Sequence, residues 1–107
     1  MKVILPQMIV EKGDVNEVEL NCSNIDELYE KMNSNYPNYV SSLFNEDKSV
    51  KNNVILALDG KVIRKKQYAE TKFEPNGLLE ILLQLAGGWY NNTKTIYYSI
   101  PIRNLLY

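Results

Sequence analysis

The chain has 107 residues, of which 45% are hydrophobic and 23% charged, and its net charge is −1. This length allows one domain with a modest core but not two. The composition is that of a folded globular protein, the near-neutral charge argues against nucleic-acid binding, and no apolar run is long enough to span a bilayer. The chain lacks histidine, the usual general base and the commonest metal ligand. We therefore expect neither an enzyme nor a bound metal or cofactor.

The amino-terminal residues and the cysteine content both indicate a cytoplasmic protein. Before Pro6 the chain has one lysine and three consecutive apolar residues, which is too little for a secretion signal. Cys22 is the single cysteine, so no internal disulfide can form. We expect Cys22 to be a small buried hydrophobic residue rather than a nucleophile.

In chain order, the first predicted element is a β-hairpin. Residues 2–11 are rich in Val and Ile and predict a strand, with Pro6 indicating an edge or a bulge. Residues 13–14, Gly-Asp, predict a turn. The alternation of polar and apolar residues over 16–20 then predicts a second strand.

A helix is predicted next, over residues 24–34. Ser23 can cap it, and two acidic residues in the first turn suit the helix dipole. Its core-facing stripe has i, i+3, i+4, i+7 spacing and consists of Ile25, Leu28, Tyr29 and Met32. Pro37 either ends the helix or begins a short second turn that packs back against it.

A second hairpin follows a polar loop at residues 45–53. The apolar run 54–58 predicts a strand that stops at Asp59-Gly60. Asp-Gly between apolar runs is a strong signal for a two-residue turn, so residues 61–64 should return as a strand. The polar stretch 65–72 is predicted to be irregular.

The leucine-rich run at residues 78–85 fits two secondary structures. Glu80 and Gln84 share one face in either a helix or a strand, and the helix propensity of leucine favours a helix. The shortness of the run and the turn residues Pro75-Asn76-Gly77 before it favour a strand.

The segment that leads to Gly87-Gly88 resembles the closing segment of the MoaD/ThiS sulfur-carrier family, in which a turn, an apolar strand and a short tail end in Gly-Gly. The matching residues are Phe73-Glu74-Pro75-Asn76-Gly77-Leu78-Leu79-Glu80-Ile81-Leu82-Leu83-Gln84-Leu85-Ala86-Gly87-Gly88. Over residues 2–88 the order of elements also agrees, and the resemblance favours a strand at 78–85. It implies an α+β fold of the β-grasp (ubiquitin-like) type, a mixed sheet packed on one main helix with the first and last strands side by side. We expect this domain to cover residues 1–88, followed by a C-terminal extension at 89–107.

The resemblance implies a carrier rather than a catalyst. In the family, a ubiquitin-activating-type enzyme adenylates the carboxylate of the last glycine, and a sulfur donor displaces AMP to leave a thiocarboxylate for an acceptor synthase. Gly88 would accept the adenylate and the sulfur. Gly87 would help the tail to thread a narrow channel, because glycine has no Cβ. Such carriers serve molybdopterin, thiamine, cysteine and natural-product biosynthesis, and nothing in the sequence selects one pathway.

Partner binding is expected on the exposed face of the sheet, where family members present an apolar patch to the adenylating enzyme. The candidates are the residues of the last strand that face away from the helix, together with Val62. Sequence does not assign the faces, so the set is either Leu79, Ile81, Leu83 and Leu85 or the residues that alternate with them.

The chain departs from the family because 19 residues follow Gly88. Reaction at Gly88 therefore requires cleavage of the Gly88–Trp89 bond, and related precursors are trimmed by JAMM-type metal-dependent peptidases. The extension is rich in aromatic residues, which favours order, as an extra edge strand or as a cover over the apolar sheet face. Two alternatives stay open: a protein tag conjugated through Gly88, and a non-carrier β-grasp module that binds or assembles through its aromatic tail.

Overall fold

The computed structural model describes residues 1–11, 14–85 and 88–89. Its strands are β1 (Lys2–Ile4), β2 (Glu17–Glu19), β3 (Val54–Leu58), β4 (Lys61–Val62), β5 (Leu78–Leu85) and β6 (Gly88–Trp89). Its α-helices are α1 (Ile25–Asn35) and α2 (Pro37–Leu43), and short 3-10 helices cover Gln7–Ile9 and Lys65–Glu70. Within these residues, no helix has the length and apolar character needed to cross a membrane.

One mixed sheet organises the chain, in the order β2-β1-β5-β3-β4, and β6 pairs with β5 off this path. Strand β1 runs parallel to β5, whereas the other neighbours are antiparallel. The expected adjacency of the first strand and the last long strand is confirmed. A mixed sheet with one main helix on its face is the expected β-grasp arrangement.

The ambiguous run at Leu78–Leu85 is a strand, β5. It has a neighbour on each side: Val3 of β1 lies opposite Leu79, and Leu56 of β3 lies opposite Ile81. The helix propensity of leucine is an advantage of only tenths of a kcal/mol per residue over the β-branched residues. Backbone pairing on both edges and burial of alternate leucines outweigh it.

The N-cap of helix α1 is Asn24, not the expected Ser23. The Oδ1 of Asn24 accepts a hydrogen bond from the Glu27 backbone N–H at 2.8 Å. Ser23 contributes from outside the helix, because its backbone N–H and its hydroxyl both donate to Oε1 of Glu27 at 2.8 Å. These two hydrogen bonds, from the backbone N–H first and the hydroxyl second, lower the pKa of the Glu27 carboxyl.

The core lies between the sheet and the two helices. The predicted stripe of α1 is confirmed, because Ile25, Leu28 and Met32 are buried and Tyr29 packs against the same cluster. Leu43 of α2 completes this layer. The strands supply the facing residues, which are Val3, Val54, Leu56, Leu79 and Ile81.

The Asp59-Gly60 hairpin is confirmed. Asp59 has φ 51° and Gly60 has φ 87°, the two positive values that a type I′ turn requires. Leu58 lies opposite Lys61 across this two-residue loop. The turn is also tied to the start of β5, because Asp59 Oδ1 accepts from the Leu78 N–H at 2.9 Å and the Asp59 N–H donates to the Leu78 carbonyl at 2.8 Å.

The structure corrects two predictions and selects between the two alternatives at Pro37. The first strand covers only Lys2–Ile4, because the chain after Pro6 forms the 3-10 helix Gln7–Ile9 instead of continuing extended. Pro37 begins α2, a position that suits its fixed φ and missing N–H. Six of the eight residues predicted as irregular, at 65–72, form the 3-10 helix Lys65–Glu70. The predicted turn at Gly13 falls outside the described residues.

The cap of α1 makes a pH-dependent contribution to stability. Since the folded-state pKa of Glu27 is lowered, its carboxylate stabilises the fold above the unfolded-state pKa, and this stabilisation is lost as the pH falls through the folded-state value. When the pH is lowered from about 6 to about 3, the free energy of unfolding should therefore fall less in Glu27→Gln than in the wild type. This interval spans the ordinary glutamate pKa of about 4.3. Urea unfolding at both pH values measures the difference. Glu46→Gln, at an exposed turn, is the matched control; identical pH dependence in wild type and Glu27→Gln would contradict the prediction.

Candidate functional site

Towards its carboxyl end, β5 stays paired with β3 for more residues than it does with β1. The register with β1 ends at Ile4 opposite Glu80, whereas β3 stays paired as far as Leu83. The Gln84 N–H then donates to the Asn53 carbonyl at 2.7 Å. The end of β5 is thus anchored on its β3 side.

Gly88, the predicted acceptor of the adenylate, lies in β6. Leu85 is opposite Gly88 and Gln84 is opposite Trp89 in an antiparallel pair. The chain therefore reverses between Leu85 and Gly88, and the Gly88–Trp89 bond lies inside a paired segment. Gly87, predicted to help the tail to thread, falls outside the described residues.

The two faces of β5 are now assigned. Leu79 and Ile81 are 0% and 2% exposed and face the helices, and Leu83 packs against the same core. Of the two alternating sets that the sequence left open, Leu79, Ile81 and Leu83 are the set that the two-residue period of a strand sends inward, and the residues that alternate with them remain the predicted partner contacts. The side chain of Leu85 falls outside the described part of the chain.

The alternating set forms the other face, which we call the open face. Its residues on β5 are Leu78, Glu80, Leu82 and Gln84. The strand register places residues of strands β1 to β4 on the same face. These residues are Lys2, Ile4, Glu17, Glu19, Ile55, Ala57 and Val62. Val62, predicted as a partner contact, thus belongs to the open face.

The middle of the open face is apolar. Ile55 lies opposite Leu82, and Val62 lies opposite Ala57. Ile55, Leu82 and Val62 are partly exposed, whereas Ala57 is 0% exposed although it is outside the helix-facing core cluster. An apolar patch of this kind on a sheet is typical of a protein contact site.

One acid interrupts this patch. Glu80 lies between Ile4 and Ala57 in the register and is only partly exposed. Lys2, the nearest cation in the register, is paired with Glu17 at 3.3 Å between Nζ and Oε2. Among the described residues, no ion pair to Glu80 forms. The open face therefore combines apolar side chains with an acid that can receive a cation from elsewhere.

Cys22 is buried in the core, as expected of a structural cysteine. Burial is the main cause that raises the pKa of its thiol, and the Glu27 carboxylate adds to it, whereas the amino terminus and Lys31 act in the opposite direction. A raised pKa lowers the thiolate fraction, so Cys22 is poorly suited to be a nucleophile.

The carboxylates at residues 46–47 lie in an exposed turn, as expected. Asp47 Oδ1 accepts from the Ser49 hydroxyl at 2.5 Å and from the Ser49 N–H at 3.0 Å, and these bonds lower the pKa of Asp47. Lys48 reaches across to Glu30 at 3.5 Å. No group of three or more potential metal-ligating side chains occurs within the part of the chain that the structure describes.

The topology defines an α+β protein with the ubiquitin-like β-grasp fold. The crystal structure of Urm1 from Sulfolobus solfataricus is similar, with a TM-score of 0.58 over 78% of this chain and 99% of that chain. The two sequences are 20% identical, so the likeness concerns the fold. Neither a protein-family model nor a curated protein matches the chain.

The assignment of the two faces predicts that a leucine-to-alanine substitution lowers the free energy of unfolding more on one face of β5 than on the other. Leu79→Ala leaves a cavity in the core and should lower the free energy of unfolding by about 2–5 kcal/mol. Leu82→Ala, on the open face, should cost only about 1 kcal/mol, because less apolar area returns to water. Urea unfolding of both variants measures the difference, and equal losses would contradict the assignment.

Proposed function

We propose that this chain is the precursor of a ubiquitin-like sulfur carrier whose reactive group is the carboxylate of Gly88. The single observation that carries the proposal is the run from β5 to Gly88: a central strand, paired on both edges, that ends at Leu85 just before Ala86-Gly87-Gly88. The β-grasp fold supports it, since the same fold is implied by the resemblance to the MoaD/ThiS family. The chain itself is not an enzyme.

The chemistry follows from the diglycine end. Hydrolysis of the Gly88–Trp89 bond, for which a JAMM-type peptidase is the expected partner, gives Gly88 a free carboxylate. One oxygen of that carboxylate attacks the α-phosphorus of ATP in a ubiquitin-activating-type enzyme, and pyrophosphate leaves. A donor at the oxidation level of sulfide then attacks the acyl carbon, and AMP leaves. The product is a thiocarboxylate whose sulfur passes to an acceptor synthase in cofactor or metabolite biosynthesis.

Glycine is suited to the end of such a carrier for a steric reason. A peptide that enters a narrow active-site channel needs backbone conformations that a Cβ would exclude. A side chain at residue 87 or 88 would also widen the arm. The Gly-Gly pair is therefore the part of the proposal most sensitive to substitution.

The partner surface belongs to the open face in this proposal. Ile55, Leu82 and Val62 provide the apolar contact area beside the strand that leads to Gly88. Glu80 adds a charge at the centre of the patch, which favours a partner with a cation at that position. These residues replace the buried leucines of β5 as the expected contacts.

The hairpin formed by β5 and β6 must open before the proposed cleavage. Peptidases bind an extended segment through its backbone groups, and in the intact chain Gly88 and Trp89 are paired with Leu85 and Gln84. Only two residue pairs hold the described hairpin, so opening it requires little rearrangement of the sheet. Cleavage then leaves Gly88 as the final residue.

Replacing Gly88 by Ala in the trimmed chain tests the assignment of the reactive end. We expect Gly88→Ala to abolish thiocarboxylate formation in the presence of the activating enzyme, ATP and a sulfur donor, because the added Cβ obstructs the channel. Intact-mass measurement detects the exchange of a carboxylate oxygen for sulfur. Glu46→Gln, at an exposed turn outside the open face, should be sulfurated normally; normal sulfuration of Gly88→Ala would overturn the assignment.

A second candidate, a non-carrier binding or assembly module, is favoured by one observation: Gly88 is paired in a hairpin with the extension still attached. In that case residues 89–107 remain part of the working protein. Mass spectrometry of the protein from its native cell separates the two functions. A chain that ends at Gly88 supports the carrier, and full-length protein alone, in cells with an active sulfur pathway, supports the module.

A further inference from the structure

We propose that residues 90–107 of the intact chain dock on the open face of the sheet, with a basic residue of this segment beside Glu80. The docked segment would occupy the surface assigned above to the activating enzyme. This consequence for activation rests on the proposed function, whereas the docking itself does not.

The direction of the chain at Trp89 supports the docking. Strand β6 is antiparallel to β5, so within β6 Trp89 lies nearer the middle of β5 than Gly88 does. Trp89 lies opposite Gln84, which is a residue of the open face. The register of β5 with β1 has ended before Ile81–Leu83, so a chain that continued in the direction of β6 would meet a stretch of β5 that β1 does not cover.

The remaining length is sufficient to cover the face. The 18 residues from 90 to 107 span at most about 60 Å when extended. The longest dimension of the molecule is 32 Å. The segment is therefore long enough to cross the sheet.

The apolar character of the segment matches the surface. It contains four of the eight tyrosines of the chain, and its other large apolar residues are Ile96, Ile100, Ile102, Leu105 and Leu106. The open face offers Ile55, Leu82 and Val62, all partly exposed. Burying these two sets against each other removes apolar area from water, which stabilises the contact.

The charges are complementary as well. Lys94 and Arg103 are the only ionisable side chains of the segment other than its tyrosines, which gives it two positive charges. The domain before it carries an excess of acids, and three of them, Glu17, Glu19 and Glu80, belong to the open face. Glu17 and Glu19 are engaged by Lys2 and the amino terminus, which leaves Glu80 as the acid without an ion pair among the described residues.

Docking would make the uncleaved chain a poor substrate for activation in two ways. The Gly88 carboxylate does not exist before cleavage, and the surface that recognises the activating enzyme is already occupied. Release of the segment after cleavage exposes both features together. Premature binding of the enzyme to the precursor is thereby prevented.

Nuclear Overhauser contacts in the full-length chain test the docking directly. We expect contacts between ring protons of the tyrosines in residues 90–107 and the methyl groups of Ile55 and Leu82. Methyl groups of Leu28, which lies in the core on the helix side, should show none to this segment. Absence of contacts to Ile55 and Leu82 would overturn the proposal.

Trypsin provides an independent measurement, because Lys94 and Arg103 are the tryptic sites of the segment. Docking protects Lys94, so weakening it should increase the rate of cleavage there, as the rate follows the undocked population. Leu82→Ser should accelerate cleavage about tenfold through lost apolar contact. Glu80→Gln should accelerate it up to about fivefold through the lost ion pair.

Two control variants separate docking from general effects of substitution. Met8→Ser removes an apolar side chain that is 57% exposed outside the sheet, and Glu46→Gln removes an exposed acid on the helix side. Both should cleave at Lys94 at the wild-type rate. Equal rates in all four variants and the wild type would overturn the proposal, and near-ultraviolet circular dichroism checks that each variant is folded.

Sedimentation of the full-length chain distinguishes the proposed occupant from a second copy. Docking within one chain predicts a monomer, and a dimer whose contacts to Ile55 and Leu82 are intermolecular would overturn it. These measurements use no activating enzyme. If the segment docks but the trimmed chain forms no thiocarboxylate, only the carrier function is refuted. If the trimmed chain forms a thiocarboxylate but the segment does not dock, only this inference is refuted.

Discussion

The pairing of β5 on both edges is the constraint on which the rest of the structure depends. Parallel pairing with β1 and antiparallel pairing with β3 join the amino-terminal strand, a strand from the middle of the chain and β5 in one sheet. The Asp59-Gly60 turn is held against the start of β5 by Asp59, and the end of β5 is held by the Asn53 carbonyl. Both ends of the strand are thus fixed.

That pairing also determines what each face of the sheet can do. Because side chains alternate along a strand, a shift of one residue in the register would exchange the two sets of β5. In the observed register Leu79 and Ile81 join the core under α1, and Leu82 and Glu80 lie on the open face. Stability and the proposed recognition therefore involve different residues of one strand, separated by a single position in the sequence.

Under the proposed function, Gly88 would have two structural roles that exclude each other in time. In the intact chain Gly88 is part of a hairpin, and its absence of a side chain has no evident use there. After removal of residues 89–107 the same glycine would be the carboxyl-terminal residue of a short arm. The extension is rich in aromatic residues and positively charged, and the proposed contact with the open face would account for this composition.

Some features of this protein are decided by local sequence, and others only by tertiary contacts. The α1 stripe of Ile25, Leu28 and Met32 and the Asp59-Gly60 turn were predictable, because spacing and backbone preference act over a few residues. The strand at 78–85 was predicted from the resemblance of residues 73–88 to the sulfur carriers, because its leucines alone do not distinguish a strand from a helix. Only the tertiary structure decided that Leu79 and Ile81 are buried, that Leu82 and Glu80 lie on the open face, and that the chain reverses before Gly88. The physical reason is that register and strand direction depend on neighbours distant in the sequence, whose pairing energies no local pattern contains.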